Sequence, residues 1–209
     1  KHFIHLRISR VSDNYPRAAS AAFLFFYYDL PAIFSFKKKP QKEISQIHKW
    51  NRELSSCGKT FVIIPRKEKP VLVFIYDKAL IELTLNSKDA LSYLKEKNYP
   101  VTKGSKALIA ELIKRLYASN SEDFPHEIGL FLGYPLKDVI AFEKDNGKES
   151  KYTGAWQVYG NVQEACQTMQ LYKECRDSCF KLLEKGMNIT NITLNWLTLK
   201  NKMLDKEAC

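Results

Sequence analysis

The sequence predicts an α+β domain: a small antiparallel β-sheet around a hairpin in the N-terminal half, packed by helices, and a mainly helical C-terminal part. Residues 60–77, TFVIIPRKEKPVLVFIYD, contain two β-branched and aromatic runs on either side of a polar turn, which is typical of a hairpin. Beyond Asp77 the apolar residues recur mostly at helical spacing as far as residue 186. These two observations together define the predicted fold class.

The size and composition of the chain are typical of a single globular domain. It has 209 residues, of which 45% are hydrophobic and 27% are charged. We expect an atypical basic and apolar segment at 1–30, one α+β domain at 31–187, and a C-terminal tail at 188–209. The formal net charge is +10, and +7 of it lies in residues 1–60. Such a basic end can attract nucleic acid, an anionic membrane surface or an acidic partner, or it can serve solubility alone.

The apolar stretch at residues 18–36 is interrupted too early for a membrane span. Asp29 and Pro31 break it, whereas a spanning helix needs about 20 mostly apolar residues. We therefore expect a buried helix and then a strand there, and no membrane span. The five cysteines are odd in number and form no Cys-x-x-Cys pair. This pattern argues against a disulfide scaffold and predicts a cytoplasmic protein.

Local signals predict the first elements in order. The sequence AIFSF at 32–36 predicts a strand, and KKKPQ after it predicts a turn. Residues 43–57 show one apolar helix face, and Gly58 is placed to end that helix. The run VLVFIY at 71–76 is apolar without alternation, so this hairpin strand is predicted to be buried on both faces.

The later elements are predicted to be helices. Ser87 caps one helix, which ends before Pro100, and an amphipathic helix follows at 104–120. The longest helical pattern begins near Asn161 and ends at Gly186. The sequence after residue 186 has weak periodicity and predicts at most a short helix.

Residues 124–147, FPHEIGLFLGYPLKDVIAFEKDNG, predict two short helices joined by a tight turn. Pro125 fits a first helical turn that Gly133 ends, and Pro135 opens a second helix that Gly147 ends. This is the spacing of a helix-turn-helix, so a nucleic-acid-binding regulator is one hypothesis. The second helix, however, has a net charge of −1 and offers no Arg, Asn or Gln before position 146. Nucleic acid is therefore a possible partner but not a favoured one.

His126 and Glu127 are the candidate acid/base residues of this stretch. In an enzyme, Tyr134 and Tyr159 would be their hydrogen-bonding partners. A zinc-protease motif, His-Glu-x-x-His, is not formed because Leu130 stands at its last position. The alternative is that His126 and Glu127 stabilise the exposed N–H groups of the first helical turn.

The segment KYTGAWQVYGN at 151–161 supplies the candidate ligand-binding residues Tyr152, Gly154 and Trp156. Aromatic side chains beside flexible backbone can line a pocket for a flat ligand or stack on a base. Alternatively, Trp156 and Val158 point the same way from a short strand and close the core.

The sequence predicts no metal site, and it identifies no cofactor. Three cysteines of the longest helix, Cys166, Cys175 and Cys179, could bind a soft metal, but metal sites use tighter pairs and buried thiols are usually inert. There is no glycine-rich phosphate loop, no Gly-x-Ser-x-Gly motif and no paired-carboxylate signature. The cofactor therefore stays unknown.

Three segments together resemble a known family. FPHEIGLFLGYPLKDVIAF, GAWQVYGN and LYKECRDSCFKLLEKG are similar to the bacterial family of domains of unknown function numbered 3793, over residues 31–187. The resemblance implies an origin in clostridia and related Firmicutes, and it carries no established activity. The matching motif positions are Phe124, Pro125, His126, Glu127, Gly129, Gly133, Tyr134, Pro135, Gly154, Trp156 and Tyr159. Tyr152 stands where members of the family tend to have a cysteine, so a thiol at that place is not available here.

These observations favour a domain that binds a small ligand or a protein partner. Its site is expected where the segment 126–134 meets the segment 152–159. The enzyme alternative predicts that His126, Glu127, Tyr134 and Tyr159 converge in one pocket. The regulator alternative predicts a continuous basic face around the second helix of residues 124–147.

Overall fold

A computed structural model describes residues 31–36, 41–66, 69–120, 123–145, 147–196 and 198. The expected basic arm and the expected helix before residue 31 lie outside the described residues. Two 3₁₀ turns, Ser55–Cys57 and Val101–Lys103, accompany the longer elements. Those elements are β1 (Ala32–Phe36), α1 (Gln41–Leu54), β2 (Lys59–Ile64), β3 (Val71–Asp77), α2 (Lys78–Leu85), α3 (Lys88–Glu96), α4 (Ser105–Ala118), α5 (Ile128–Phe131), α6 (Leu136–Asp145), β4 (Tyr152–Thr153), β5 (Gln157–Val158), α7 (Val162–Glu184) and α8 (189–196). The predicted α+β class is confirmed.

The larger sheet has the strand order β1-β3-β2, and both pairings are antiparallel. In the hairpin Lys59 lies opposite Asp77, and on the other side of β3 Ala32 lies opposite Ile75. The central strand β3 is buried on both faces, as the unbroken apolar run predicted. Its four innermost residues are all buried: Leu72, Val73, Phe74 and Ile75.

Helices cover both faces of this sheet. Leu72 and Phe74 belong to the larger apolar cluster, which includes residues of α2 to α6. Val73 and Ile75 point the other way, into a second cluster formed with α1, the end of α7 and α8. The second cluster contains Ile47, Trp50, Leu54, Phe61, Val73, Ile75, Cys179, Ile189 and Ile192. The result is a layer of helices on each side of a three-stranded sheet.

Side-chain caps set the starts of several helices. Asp77 accepts hydrogen bonds from the backbone N–H groups of Ala79 and Leu80 and so begins α2. The same carboxylate pairs with Nζ of the buried Lys59 at 3.0 Å. Ser87 caps α3 and Asn161 caps α7, at the positions that the sequence predicted.

In the stretch from residue 124 to residue 147 the first helix is shorter than predicted, whereas the second begins after Pro135 as expected. The helix α5 has only four residues, 128–131, because the backbone around Pro125 and His126 forms i→i+3 bonds instead. Gly133 follows with φ +78°, the left-handed conformation that a glycine adopts without strain, and α6 begins at Leu136. Inside α5, Gly129 lets α6 approach closely, since a Cβ there would lie 2.9 Å from Cγ2 of Val139.

Among the residues that the structure describes, no helix combines the length and the apolar character needed to cross a membrane.

Candidate functional site

The two motif segments, residues 124–142 and 154–161, meet at an aromatic stack. The ring of Tyr134, in the turn between α5 and α6, stacks on the indole of Trp156 with a centroid distance of 5.2 Å and an interplanar angle of 23°. Both rings are buried, and Tyr134 donates a long hydrogen bond of 3.5 Å to the carbonyl of Ala155. Burial, with a contribution from the nearby Tyr172, raises the pKa of Tyr134. The stacked rings of Tyr134 and Trp156 are therefore a buried, neutral part of the contact between the two motif segments.

Asp138 connects the same two segments by hydrogen bonds. It lies in the first turn of α6, is 3% exposed, and accepts the indole N–H of Trp156 at 2.8 Å. Its other oxygen accepts the backbone N–H groups of Tyr159 and Gly160 at 2.9 and 2.8 Å. A carboxylate near a helix N-terminus is also favoured by the helix dipole. The only local sequence signal of this role is an acidic residue in the first turn of a helix.

Tyr159 belongs to a neighbouring group of hydrogen bonds. Its hydroxyl donates to Oδ1 of Asp145 at 2.8 Å, and the same oxygen accepts the backbone N–H of Gly147. Burial and this contact with the Asp145 carboxylate raise the pKa of Tyr159. Partial desolvation opposes ionisation of Asp145, but the hydrogen bonds from Tyr159, Glu149 and Gly147 prevail and lower its pKa.

His126 faces a small cavity on the other side of the Tyr134 ring. The imidazole meets the ring of Phe142 edge-on, at a centroid distance of 5.1 Å and an angle of 69°. Its Nδ1 atom is buried and has no hydrogen-bond partner among the described residues. The cavity has a volume of about 20 Å³. Its walls are His126, Gly129, Tyr134, Asp138, Val139, Phe142, Trp156 and Gln157.

Glu127 points away from this cavity, into a separate network of charges. Its Oε1 accepts the hydroxyl of Tyr99 at 3.0 Å and pairs with the guanidinium of Arg115 at 2.9 Å. Arg115 also lies over the Tyr99 ring, 4.0 Å from its centroid, and donates to the carbonyl of Lys97 at 2.7 Å. The carboxylate makes no capping bond to α5, so the expectation that Glu127 caps this turn is wrong.

The four residues of the enzyme hypothesis, two acid/base candidates and two tyrosines, thus lie in different surroundings. His126 and Tyr134 line one cavity, whereas Glu127 is engaged by Arg115 and Tyr99. The Tyr159 hydroxyl is bonded to Asp145 and, at 3.2 Å, to the side chain of Gln157. His126 and Glu127 are neighbours in sequence but do not form one acid/base pair in space.

The three ligand-binding candidates also have different surroundings. Trp156 is 6% exposed and belongs to the larger apolar cluster, while Tyr152 is 43% exposed on β4. Gly154 packs closely against α7. A Cβ at this position would collide with the sulfur of Met169 and come within 3.0 Å of the Tyr152 ring. Trp156 therefore has a packing role, whereas Tyr152 and Gly154 are both exposed to solvent.

A larger groove lies between α3 and the α5–α6 pair, and the Tyr134 ring reaches it as well. The groove has a volume of about 730 Å³. Its lining residues are Thr84, Ser87, Asp89, Ala90, Ser92, Tyr93, Glu96, Leu130, Tyr134, Pro135, Leu136, Lys137 and Ile140. Sequence reasoning missed this groove, since it depends on how α3 packs beside α6.

The surface of α6 does not present a continuous basic face. Its exposed cations are Lys137 and Lys144, one near each end of the helix. Between them, Glu143 pairs with Lys97 at 2.8 Å and accepts the hydroxyl of Tyr93, also at 2.8 Å. This arrangement gives α6 few groups with which to bind a phosphate backbone.

In α7 the structure describes the side chains of two cysteines, Cys166 and Cys179, and both are free thiols. Cys179 is fully buried, and burial raises the pKa of its thiol to about 12. Across the part of the chain that the structure describes, no three His, Cys, Asp or Glu side chains are grouped so as to hold a metal ion.

The described residues form an α+β fold with helices on both faces of its three-stranded sheet and a groove beside α3. The chain belongs to the family described as Protein of unknown function (DUF3793), whose model matches residues 21–193. The matched range contains the aromatic stack, Asp138 and the groove. Neither the curated proteins nor the solved structures contain a match to this chain.

Proposed function

We propose that this protein is a binding domain that takes a small polar ligand in the groove between α3 and the α5–α6 pair. The observation that carries the proposal is the size of this groove, about 730 Å³. Sites for small molecules and cofactors are clefts of about 300–1,000 Å³. The cavity beside His126, at about 20 Å³, is too small for an organic ligand.

The walls of the groove are held in place by contacts outside it. On one side, Tyr93 and Lys97 of the α3 region both bond to Glu143 of α6. At the base, Tyr134 is stacked on Trp156, which is itself bonded to Asp138. A site whose walls are already ordered loses less conformational entropy on binding, and this supports a ligand-binding role.

The lining favours a polar ligand. Asp89, Ser92 and Lys137 are all exposed at the groove and offer carboxylate, hydroxyl and ammonium groups. Leu130 and Ile140 add apolar area. A few polar groups among apolar ones are the usual means by which such sites orient a ligand.

The test is a thermal-stability screen on two matched variants. Ser92→Trp places a large side chain in the groove, and Lys95→Trp places the same side chain on an exposed position of α3 that does not line it. Both are screened against amino acids, nucleotides, sugars and common cofactors. A ligand that binds only the folded protein raises its stability by about 2.7 kcal/mol at a hundred times the dissociation constant.

We expect at least one compound to stabilise the wild type and Lys95→Trp but not Ser92→Trp. If a compound stabilised Ser92→Trp and Lys95→Trp equally, its binding site would not be this groove. If no compound stabilises the wild type while a protein partner does, the small-ligand proposal is wrong and the partner alternative takes its place.

The cellular setting is part of this proposal. The absence of Cys-x-x-Cys pairs in the sequence and the resemblance to a clostridial family support a bacterial cytoplasmic protein. The acid/base alternative receives no comparable support, since Glu127 is bound by Arg115 and Tyr99 rather than directed at His126.

A further inference from the structure

We infer that the cavity beside His126 is a binding site for one water molecule, which links the turn before α5 to α6 and to the β4–β5 hairpin. This inference is independent of the proposed groove. It rests on an unpartnered buried nitrogen, on the volume of the cavity and on the polar groups in its wall.

The first observation is the Nδ1 atom of His126. It is buried and has no hydrogen-bond partner among the described residues. Most buried polar side-chain atoms in folded proteins have a partner, either a protein group or an ordered water. The Phe142 ring, edge-on at 5.1 Å from the imidazole, offers no conventional acceptor or donor. A partner from solvent is therefore the simplest way to satisfy this nitrogen.

The second observation is the volume. The cavity has a volume of about 20 Å³. A cavity volume of at least about 10–15 Å³ accommodates one water molecule. The same volume excludes anything much larger. The ligand class is thus limited to water or a species of its size.

The third observation is the presence of polar residues in a mostly apolar wall. Asp138 and Gln157 line the cavity together with His126. A buried water usually makes between about two and four hydrogen bonds, and these three residues are the partners that we infer for it. Because water both donates and accepts, it satisfies Nδ1 in either tautomer of the imidazole.

Through the bound water, His126 helps to hold the turn before α5 in position against α6. Asp138 already holds Trp156 and the backbone of residues 159–160. A water shared with His126 extends this set of bonds to the turn before α5. Tyr134 lines both this cavity and the groove, so the water would share one lining residue with a ligand in the groove.

The test counts long-lived internal waters by ¹⁷O magnetic relaxation dispersion in the wild type, His126→Phe and His48→Phe. The phenyl ring keeps the approximate shape of the imidazole but removes Nδ1. His48 is exposed on α1, so its variant is the matched control. We expect His126→Phe to lose one long-lived water and His48→Phe to lose none. An unchanged count in a folded His126→Phe protein would overturn the inference.

A high-resolution crystal structure of the wild type gives a second test that needs no variant. We expect an ordered water about 2.7–3.2 Å from Nδ1 of His126. If His126 instead bonds directly to a protein group, or if the cavity holds no density, the inference is wrong.

Discussion

Asp138 accepts three hydrogen bonds that join α6 to residues 156–160, and its removal has a predictable cost. Asp138→Ala leaves three donors without their acceptor: the indole N–H of Trp156 and the backbone N–H groups of Tyr159 and Gly160. We expect the free energy of unfolding to fall by about 3 kcal/mol, because hydrogen bonds to a buried charged group are among the stronger ones. Urea denaturation followed by tryptophan fluorescence measures this change.

The control for that variant is Glu96→Ala, an exposed residue of α3. It should change stability by less than about 0.5 kcal/mol. If Asp138→Ala changed the free energy of unfolding as little as this control, Asp138 would not hold α6 to residues 156–160.

Asp145 gives a prediction for pH dependence. Its pKa is lowered in the folded protein, so its contribution to stability is fully present above the ordinary aspartate pKa and is lost as the pH falls through the folded value. Between about pH 5 and pH 2, the stability of the wild type should therefore fall more steeply than that of Asp145→Asn. Urea denaturation at a series of pH values measures both slopes, and equal slopes would contradict this assignment.

The partners of individual side chains are the features that the sequence predicts least well. His126 and Glu127 were paired because they are adjacent in sequence, yet Arg115 and Tyr99 draw the carboxylate into a different network. Asp138 was overlooked because its partners lie about twenty residues further on, where no local pattern indicates them. Both outcomes depend on tertiary packing, which the spacing of residues does not contain.

At the scale of elements, the packing of α5 against α6 depends on Gly129. A Cβ at this position would lie 2.9 Å from Val139 and 3.3 Å from the Tyr134 ring. We expect Gly129→Ala to cost about 1–3 kcal/mol, as overpacked sites generally do. Denaturation of Gly129→Ala, Val139→Ala and the double variant measures the coupling between the two positions.

The double variant distinguishes steric crowding from a change in helix propensity. Val139→Ala removes the methyl groups that a Cβ at position 129 would meet, so Gly129→Ala should cost less in that background. Additive effects of the two substitutions would mean that the close approach does not determine the packing here.

The elements themselves were largely predictable. The β2–β3 hairpin, the burial of β3 on both faces and the caps at Ser87 and Asn161 follow from local composition and periodicity, and the structure has them. A short helix before Gly133 was predicted, but its start at Ile128 rather than near Pro125 was not, because Pro125 and the residues after it are compatible with both a helix and a tighter turn. The groove was not predictable either, since it arises from the side-by-side placement of α3 and α6.

At the scale of the whole molecule, α7 connects the two apolar clusters. Its first half contributes Ala165 and packs Met169 and Tyr172 against the larger cluster. Its second half contributes Cys179 and packs Leu183 against the cluster on the other face of the sheet. A helix shared in this way couples the stabilities of the two layers.

This coupling predicts a single unfolding transition. Leu54→Ala and Leu112→Ala remove fully buried side chains from the two clusters and should each cost about 2–5 kcal/mol. Both variants should shift the same transition, with coincident curves from circular dichroism and tryptophan fluorescence. Two separate transitions, each sensitive to only one of the variants, would show that the layers unfold independently.

The measurement that tests the central claim most directly is a ¹H–¹⁵N NMR titration of the wild-type protein with each compound that raises its melting temperature. If the groove is the binding site, the largest shift changes will fall on the amides of its lining, among them Ser87, Ser92 and Lys137. Shift changes concentrated on another surface, such as α1 or α8, would contradict the proposal that this protein binds its ligand between α3 and the α5–α6 pair.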